Sequence, residues 1–198
     1  MQIVLASQSP YRRAQLEQFG LRFQFERPAI DEDALKLEGP RDLTELTRFL
    51  ALRKALSLRD KYPSALIIGS DQLVECEGRR LDKPGSKENA VKQMKMLSNK
   101  SHRLLTSIAL VHKDQELIYT DRTTLWLRDL EDELIESYLD KDEPFDCAGS
   151  YKIERAGMAL IAKMETEDPS AIQGLPLLSL VRGIEALGLS LPNLWSTP

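Results

Sequence analysis

The residues best suited to chemistry are concentrated in Ser7-Gln8-Ser9-Pro10-Tyr11-Arg12-Arg13. There an apolar run gives way to a helix start, so free backbone N–H groups and the positive end of the helix dipole meet two guanidiniums one turn inward. That combination suits a triphosphate, although a capped helix with two solvated arginines has the same pattern. Asp71 closes a second apolar run. A carboxylate placed so can bind a divalent cation and orient or deprotonate a water for attack on phosphorus. The acidic run Asp31-Glu32-Asp33 follows Ala29-Ile30 and offers another oxygen ligand to a hard cation such as Mg²⁺. Acidic triplets are also common in solvated loops. Lys54 and Lys83 can neutralise phosphate charge, and Pro84 stiffens the loop carrying Lys83. His102 and His112 are far apart and lack a serine or cysteine nucleophile motif, so they read as structural or surface residues rather than parts of a triad.

These groups need elements to position them. Gln2 to Ala6 reads as a buried strand, followed by a helix capped by Ser9, with Pro10 at its first position and its end at Gly20. Leu43, Leu46, Phe49, Leu50 and Leu56 recur at helical spacing from Asp42 to Asp60, which places Lys54 on a helix. Ala65 to Gly69 reads as a central strand delivering Ser70-Asp71-Gln72 at its C-terminal end, where open α/β sheets bind ligands. Further helices are expected at Lys87–Leu97, with Ser86 as cap, at Glu131–Asp140 and at Leu177–Leu187. A hairpin of Leu104–Val111 and Glu116–Leu127 turns at Lys113-Asp114, and strands are expected at Ser150–Ile153 and Met158–Met164. The hairpin excludes a purely parallel doubly wound sheet. The fold class expected is α/β, with one long twisted mixed sheet flanked by helices and a cleft at the strand ends.

A chain of 198 residues, 42% hydrophobic and 29% charged, fits a single well-cored domain over 1–198. Its net charge of -4 provides no general attraction for nucleic acid polymers, so an anionic ligand must be held by local cations. Cys76 and Cys147 form neither a CxxC pair nor a disulfide framework, which fits a reducing cytoplasm. No apolar stretch approaches the ~18 residues of a membrane span.

Together, Leu5 to Arg13, Ile30-Asp31-Glu32, Arg53-Lys54-Ala55, Ile68-Gly69-Ser70-Asp71-Gln72, Lys83-Pro84, Cys147-Ala148-Gly149-Ser150-Tyr151 and Gly174-Leu175-Pro176-Leu177 resemble the Maf family of nucleoside triphosphate pyrophosphatases. The resemblance runs over essentially the whole chain. It implies a Maf/ITPase-like mixed α/β fold, homodimerisation, dependence on a divalent cation (Mg²⁺, Mn²⁺ or Co²⁺) and attack of water at the α-phosphorus. On that pattern Asp71 is the catalytic base and a metal ligand with Glu32. Ser7, Arg13, Lys54 and Lys83 match phosphate-binding positions, with Arg12 as a further contributor.

The resemblance extends to the branch acting on 7-methyl-GTP, through Tyr11, Gln72 and Glu154, with removal of modified nucleotides as the role. Methylation at N7 gives guanine a positive charge, which strengthens stacking on Tyr11. A carboxylate at Glu154 can accept from the guanine N1–H and N2–H₂ and repels the carbonyl-rich edge of uracil or thymine. Gln72, with donor and acceptor, could read the remaining edge. Two residues depart from the family pattern: Asp82 stands where Gly usually precedes Lys-Pro, and Tyr11 where Trp is frequent on this branch. Competing readings are a dTTP/UTP or broad-specificity pyrophosphatase and a non-enzymatic nucleotide-binding regulator of cell division.

Overall fold

The computed structural model describes residues 1–196. The chain forms two compact units, one of Met1–Gln72, Thr106–Asp121 and Asp168–Pro198, the other of Leu73–Leu105 and Arg122–Glu167. Its seven-stranded sheet has the order β2-β1-β3-β5-β6-β7, with β4 paired to β3. The strands are β1 (Ile3–Ala6), β2 (Gln24–Glu26), β3 (Leu66–Cys76), β4 (Arg79–Leu81), β5 (Ser101–His112), β6 (Gln115–Leu127) and β7 (Ile161–Glu165). β1 runs parallel to β2 and β3, whereas β3–β4 and β6–β7 are antiparallel, so the sheet is mixed as expected. Lys113 turns between β5 and β6 with φ 54°.

In the first unit, alternation along the strands builds two apolar faces. On one, Val4, Ala6, Ile67, Ala109 and Val111 pack with Ala51, Ala55 and Leu58, the two alanines lying on α3 (Leu43–Leu56). On the other, Ile3, Leu5, Leu66, Ile68, Ile108 and Leu110 meet Leu16 of α1 (Pro10–Gln18) and Leu180 and Ile184 of α6 (Leu177–Ala186). Each such aliphatic side chain contributes about 1.5–3 kcal/mol by burial. Short polar residues begin α1 and α3. Ser9 accepts from the Arg12 N–H and Pro10 occupies the first turn of α1, and Asp42 accepts from Glu45 N at 2.9 Å to start α3. α3 stops at Leu56, short of the expected Asp60, where the Ser57 hydroxyl donates back to the Lys54 carbonyl. The acidic run is not a loop: Asp31 caps α2 (Glu32–Glu38) through Ala34 N at 3.1 Å.

In the second unit, α4 (Lys87–Leu97), capped by Ser86, is tied to α5 (Asp132–Asp142) by Lys87–Glu136 and Lys95–Asp132 ion pairs, each 2.8 Å. The strand expected at Ser150–Ile153 is absent. Ser150 takes a φ of 62°, its hydroxyl donates to Gln93 Oε1 at 2.7 Å, and the Lys152 N–H donates to the Tyr138 hydroxyl at 2.7 Å. Side chains thereby satisfy backbone and loop groups that a ladder would otherwise engage. A 3₁₀ turn at Ala156–Leu160 then displaces the start of the next strand from Met158 to Ile161.

His102 and His112 are both buried and structural. His102 Nε2 lies 2.8 Å from the Tyr151 hydroxyl, and His112 Nδ1 lies 3.1 Å from the Ala65 carbonyl. Cys76 and Cys147 are not joined in a disulfide. Among the described residues no helix is long and apolar enough to cross a membrane. α7 (Leu191–Trp195) adds Leu194 to the first unit's core.

Candidate active site

β3 organises the centre of the first unit. Its parallel ladder with β1 ends at Ala6 opposite Gly69, because the chain there leaves β1 for α1. Ser70, Asp71 and Gln72 follow immediately, past the end of β1. They are not the end of β3 itself, as the sequence suggested, because pairing with β4 at Val74–Leu81 carries the strand on to Cys76. Alternation sends Asp71 to the face of Ile67 and Gly69, toward α3, and Ser70 and Gln72 to the opposite face.

Gly69 is where α3 comes closest. A Cβ on this residue would lie 2.2 Å from the Ala51 carbonyl oxygen and 2.9 Å from Ala55 N, so the helix backbone rests directly on the strand. Lys54 lies on the same helical turn as Ala51 and Ala55 and is carried to Asp71. Its Nζ stands 2.6 Å from Asp71 Oδ1 and 2.8 Å from Glu32 Oε2, with Lys54 5% and Asp71 4% exposed. Lys36 Nζ reaches the other Glu32 oxygen at 3.0 Å. Burial alone would raise the Glu32 pKa. The charge and hydrogen bond of Lys54, and then Lys36, overcome it and bring the group down to about 2.

The second oxygen of Asp71, Oδ2, is buried and has no hydrogen-bond partner. A carboxylate with one oxygen unused suits a hard cation. Among the described residues no group of three or more His, Cys, Asp or Glu side chains is gathered. Glu32 and Asp71 are the two carboxylates placed to hold such a cation.

The two arginines diverge because consecutive helical residues point about 100° apart. Arg12 Nε donates to the Gly174 carbonyl at 2.8 Å. Burial lowers its pKa while the charges of Asp71 and Glu32 act against that, so this guanidinium is electrostatically coupled to the carboxylates. Arg13 is exposed, bonded to Glu17 at 2.8 Å and seated over the Phe25 ring at 4.3 Å, away from that grouping. Ser7 is buried, and its hydroxyl oxygen accepts from Ser9 N at 3.1 Å. Tyr11 is partly buried on α1.

On the other face of β3, the segment Asp168–Gly174 presents backbone carbonyls. Asp168 shapes it by accepting from Ser170 N at 3.0 Å and Leu178 N at 2.9 Å. Gly174 adopts a φ of 100°, and its carbonyl is shared by Arg12 and the Ser70 hydroxyl, both at 2.8 Å. Gln72 Nε2 faces three acceptors, Thr106 Oγ1 and the Ala171 carbonyl at 2.9 Å and the Ile172 carbonyl at 3.1 Å. Its two N–H donors are thus taken up by the protein, and only Oε1 remains for a ligand, not the donor and acceptor both expected from the residue type. Sequence reasoning missed Asp168 and the Gly69 contact. The Asp168-Pro169 pair is a helix-start signal, and a glycine within an apolar strand signals a close backbone approach.

Lys83 and Glu154 belong to the second unit. Lys83 is exposed before Pro84, and neighbouring Asp82 pairs with Arg80 at 3.1 Å. Glu154 is exposed in the turn preceding the 3₁₀ segment.

A family pattern described as Maf-like protein matches residues 2–187. The chain belongs to the Maf family. Three relatives of this Maf chain are named 7-methyl-GTP pyrophosphatase. One, from Xanthomonas axonopodis pv. citri (strain 306), is 39% identical over 190 residues, covering 96% of this chain and 98% of the relative. Another, from Hahella chejuensis (strain KCTC 2396), is 40% identical over 193 residues, covering 96% of both. A third, from Polaromonas sp. (strain JS666 / ATCC BAA-500), is 40% identical over 193 residues, covering 96% of this chain and 86% of the relative. A solved structure described as nucleoside-triphosphatase / dITP/XTP pyrophosphatase, from Mycobacterium abscessus ATCC 19977 / DSM 44196, aligns with a TM-score of 0.39. Its identity is 18%, and the alignment covers 64% of this Maf chain and 74% of that one.

Proposed function

We propose that this Maf chain is a nucleoside triphosphate pyrophosphatase that hydrolyses 7-methyl-GTP to 7-methyl-GMP and pyrophosphate, with residues 1–198 acting as one catalytic domain. The observation that carries the chemistry is the buried Asp71–Lys54 pair joined by the half-exposed Glu32, in which Asp71 keeps one oxygen unpartnered. Water attacks the α-phosphorus, the bond from that phosphorus to the α–β bridging oxygen breaks, and its electron pair leaves with pyrophosphate. Asp71 accepts the proton of the attacking water through its carboxylate. Asp71 and Glu32 would hold a divalent cation, which would supply charge neutralisation on the polyphosphate. Lys54 and Arg12 stabilise the negative charge that gathers on the leaving group. Ser7 and the start of α1 add dipoles directed at phosphate. Arg13 and Lys83 retain their phosphate-binding assignment on the family pattern alone.

For the base, the names of the relatives support a 7-methylguanine substrate. Tyr11 would stack on the cationic ring. Gln72, left with an accepting oxygen, suits the N–H donors of guanine and disfavours a carbonyl edge. Glu154 is assigned the same preference on the family pattern alone.

The test is pyrophosphate release from 7-methyl-GTP, GTP, UTP, dTTP and CTP with Mg²⁺ or Mn²⁺, alongside Asp71→Asn. Selective release from 7-methyl-GTP, reduced by about 10²–10⁴ in Asp71→Asn as loss of a general base entails, is the expected result. Release chiefly from UTP or dTTP overturns the base assignment. No release from any nucleotide favours a binding protein.

A further inference from the structure

Lys54 holds the oxygens that a bound cation would need. Its Nζ sits 2.6 Å from Asp71 Oδ1 and 2.8 Å from Glu32 Oε2. Hard divalent cations bond carboxylate oxygens at about 2.0–2.6 Å, so the point between these two carboxylates accommodates an ammonium or a metal ion. Repulsion between like charges opposes both together. The unpartnered Asp71 Oδ2, buried on a residue only 4% exposed, is a further oxygen on this carboxylate that Lys54 does not occupy.

Resting on the reading of Glu32 and Asp71 as the cation's ligands, we propose that Lys54 is a resident counter-ion that exchanges places with the divalent cation. Before substrate arrives, Lys54 Nζ neutralises the two carboxylates. As the cation takes up their oxygens, Lys54 moves its charge to the triphosphate, swinging on a flexible four-carbon stem from a helix held fixed against Gly69. A cation arriving alone would leave the Lys54 ammonium buried without an anion, which is costly. A triphosphate arriving alone would meet two carboxylates balanced by Lys54 and the Lys36 contact to Glu32. Each ligand therefore relieves the penalty of the other, and by linkage their affinities reinforce one another equally. The resting enzyme holds little metal, and the triphosphate recruits it.

The experiment measures Mn²⁺ binding to the full chain by electron paramagnetic resonance of the free ion, first without nucleotide. Wild type is compared with Lys54→Met and Lys36→Met. Lys36 touches Glu32 and Asp33, and its substitution controls for loss of one positive charge nearby. If Lys54 is seated in about 90% of molecules or more, Lys54→Met tightens Mn²⁺ binding at least about tenfold. Lys36→Met, removing a partly exposed pair, changes it by about threefold or less. Circular dichroism checks the fold, and Lys54→Gln substitutes if Lys54→Met does not fold. In wild type, saturating α,β-methylene triphosphate analogue of 7-methyl-GTP is expected to tighten Mn²⁺ binding by about tenfold or more. Equal Mn²⁺ affinity in wild type and Lys54→Met, or equal tightening in the two lysine variants, overturns the exchange while leaving the cation site standing. No Mn²⁺ binding to any form, with or without the analogue, overturns the cation-site reading and the exchange with it.

Discussion

Replacing Gly69 with alanine puts a methyl group where the backbone of α3 already lies. The new Cβ starts 2.2 Å from the Ala51 carbonyl oxygen, whereas ordinary contact begins at 3.4 Å, so strand and helix must part by about 1 Å. Overpacking of this kind costs about 1–3 kcal/mol. The same movement would stretch the 2.6 Å Lys54–Asp71 hydrogen bond to about 3.6 Å, beyond the useful range. Losing a hydrogen bond between buried charged groups adds about 1–3 kcal/mol, partly recovered as the lysine stem readjusts. The expected outcome is a loss of about 2–5 kcal/mol in urea unfolding, with an unchanged m-value. A catalytic group displaced by about 1 Å lowers kcat by about 10²-fold. Both are read from purified Gly69→Ala, by denaturation followed by circular dichroism and by pyrophosphate release from 7-methyl-GTP. If the variant matches wild type in both, the close approach at Gly69 does not set the Lys54–Asp71 pair, and the account of the site fails at its base.

Two pH dependences follow from groups in separate units. The pKa of Glu32 lies near 2 in the fold against 4.5 ordinarily, so its stabilisation is complete above pH 4.5 and fades as pH falls toward 2. The full shift corresponds to about 3 kcal/mol, but with the side chain 40% exposed, screening leaves about 1–2 kcal/mol. Urea midpoints of Glu32→Gln should fall less steeply between pH 5 and 3 than those of wild type, and parallel slopes would contradict this. Burial lowers the pKa of His102 from 6.5 to about 4. As pH drops through 6.5 the unfolded chain gains a proton that the folded chain refuses, so stability is lost between pH 6.5 and 4, by up to about 3 kcal/mol. His102→Gln should remove that slope, and a variant that keeps it would place the titration elsewhere.

The elements read correctly from sequence carry their signals locally. Ser9-Pro10 and Ser86 begin α1 and α4, and Lys113-Asp114 turns the β5–β6 hairpin because short-range sterics and capping decide such features. β2 and β4 span only three residues each, and their existence depends on the partner strand, so no periodicity could announce them. The extension of β3 beyond Gln72 has the same origin. Ser150–Ile153 is composed like a strand but is committed to Gln93 and Tyr138, contacts distant in sequence. At the site, the residue types of Lys54, Glu32 and Asp71 were legible, and their pairing was not, since it depends on the distance between α3 and β3. The division of labour between Arg12 and Arg13 is a matter of helix phase. The engagement of Gln72 by Ala171 and Ile172 involves backbone carbonyls, which have no residue-type signal.

The alternation of β3 also bears on how such a protein can change over time. Odd-numbered Asp71 looks to α3 and Lys54, while even-numbered Ser70 and Gln72 look to the Gly174 and Ala171 carbonyls. Three adjacent residues thus answer to two neighbourhoods, linked through Arg12, which bonds the Gly174 carbonyl and feels the charge of Asp71. Substitution at an even position can be accommodated by the 168–174 segment while the Lys54–Asp71 pair stays in place, so the two sets of contacts can change at different times. Insertion or deletion of one residue before Ser70 would exchange the two sides at a stroke and abolish both. Such a strand tolerates point changes and punishes indels, a constraint on its history set by pleat geometry rather than by the chemistry it supports.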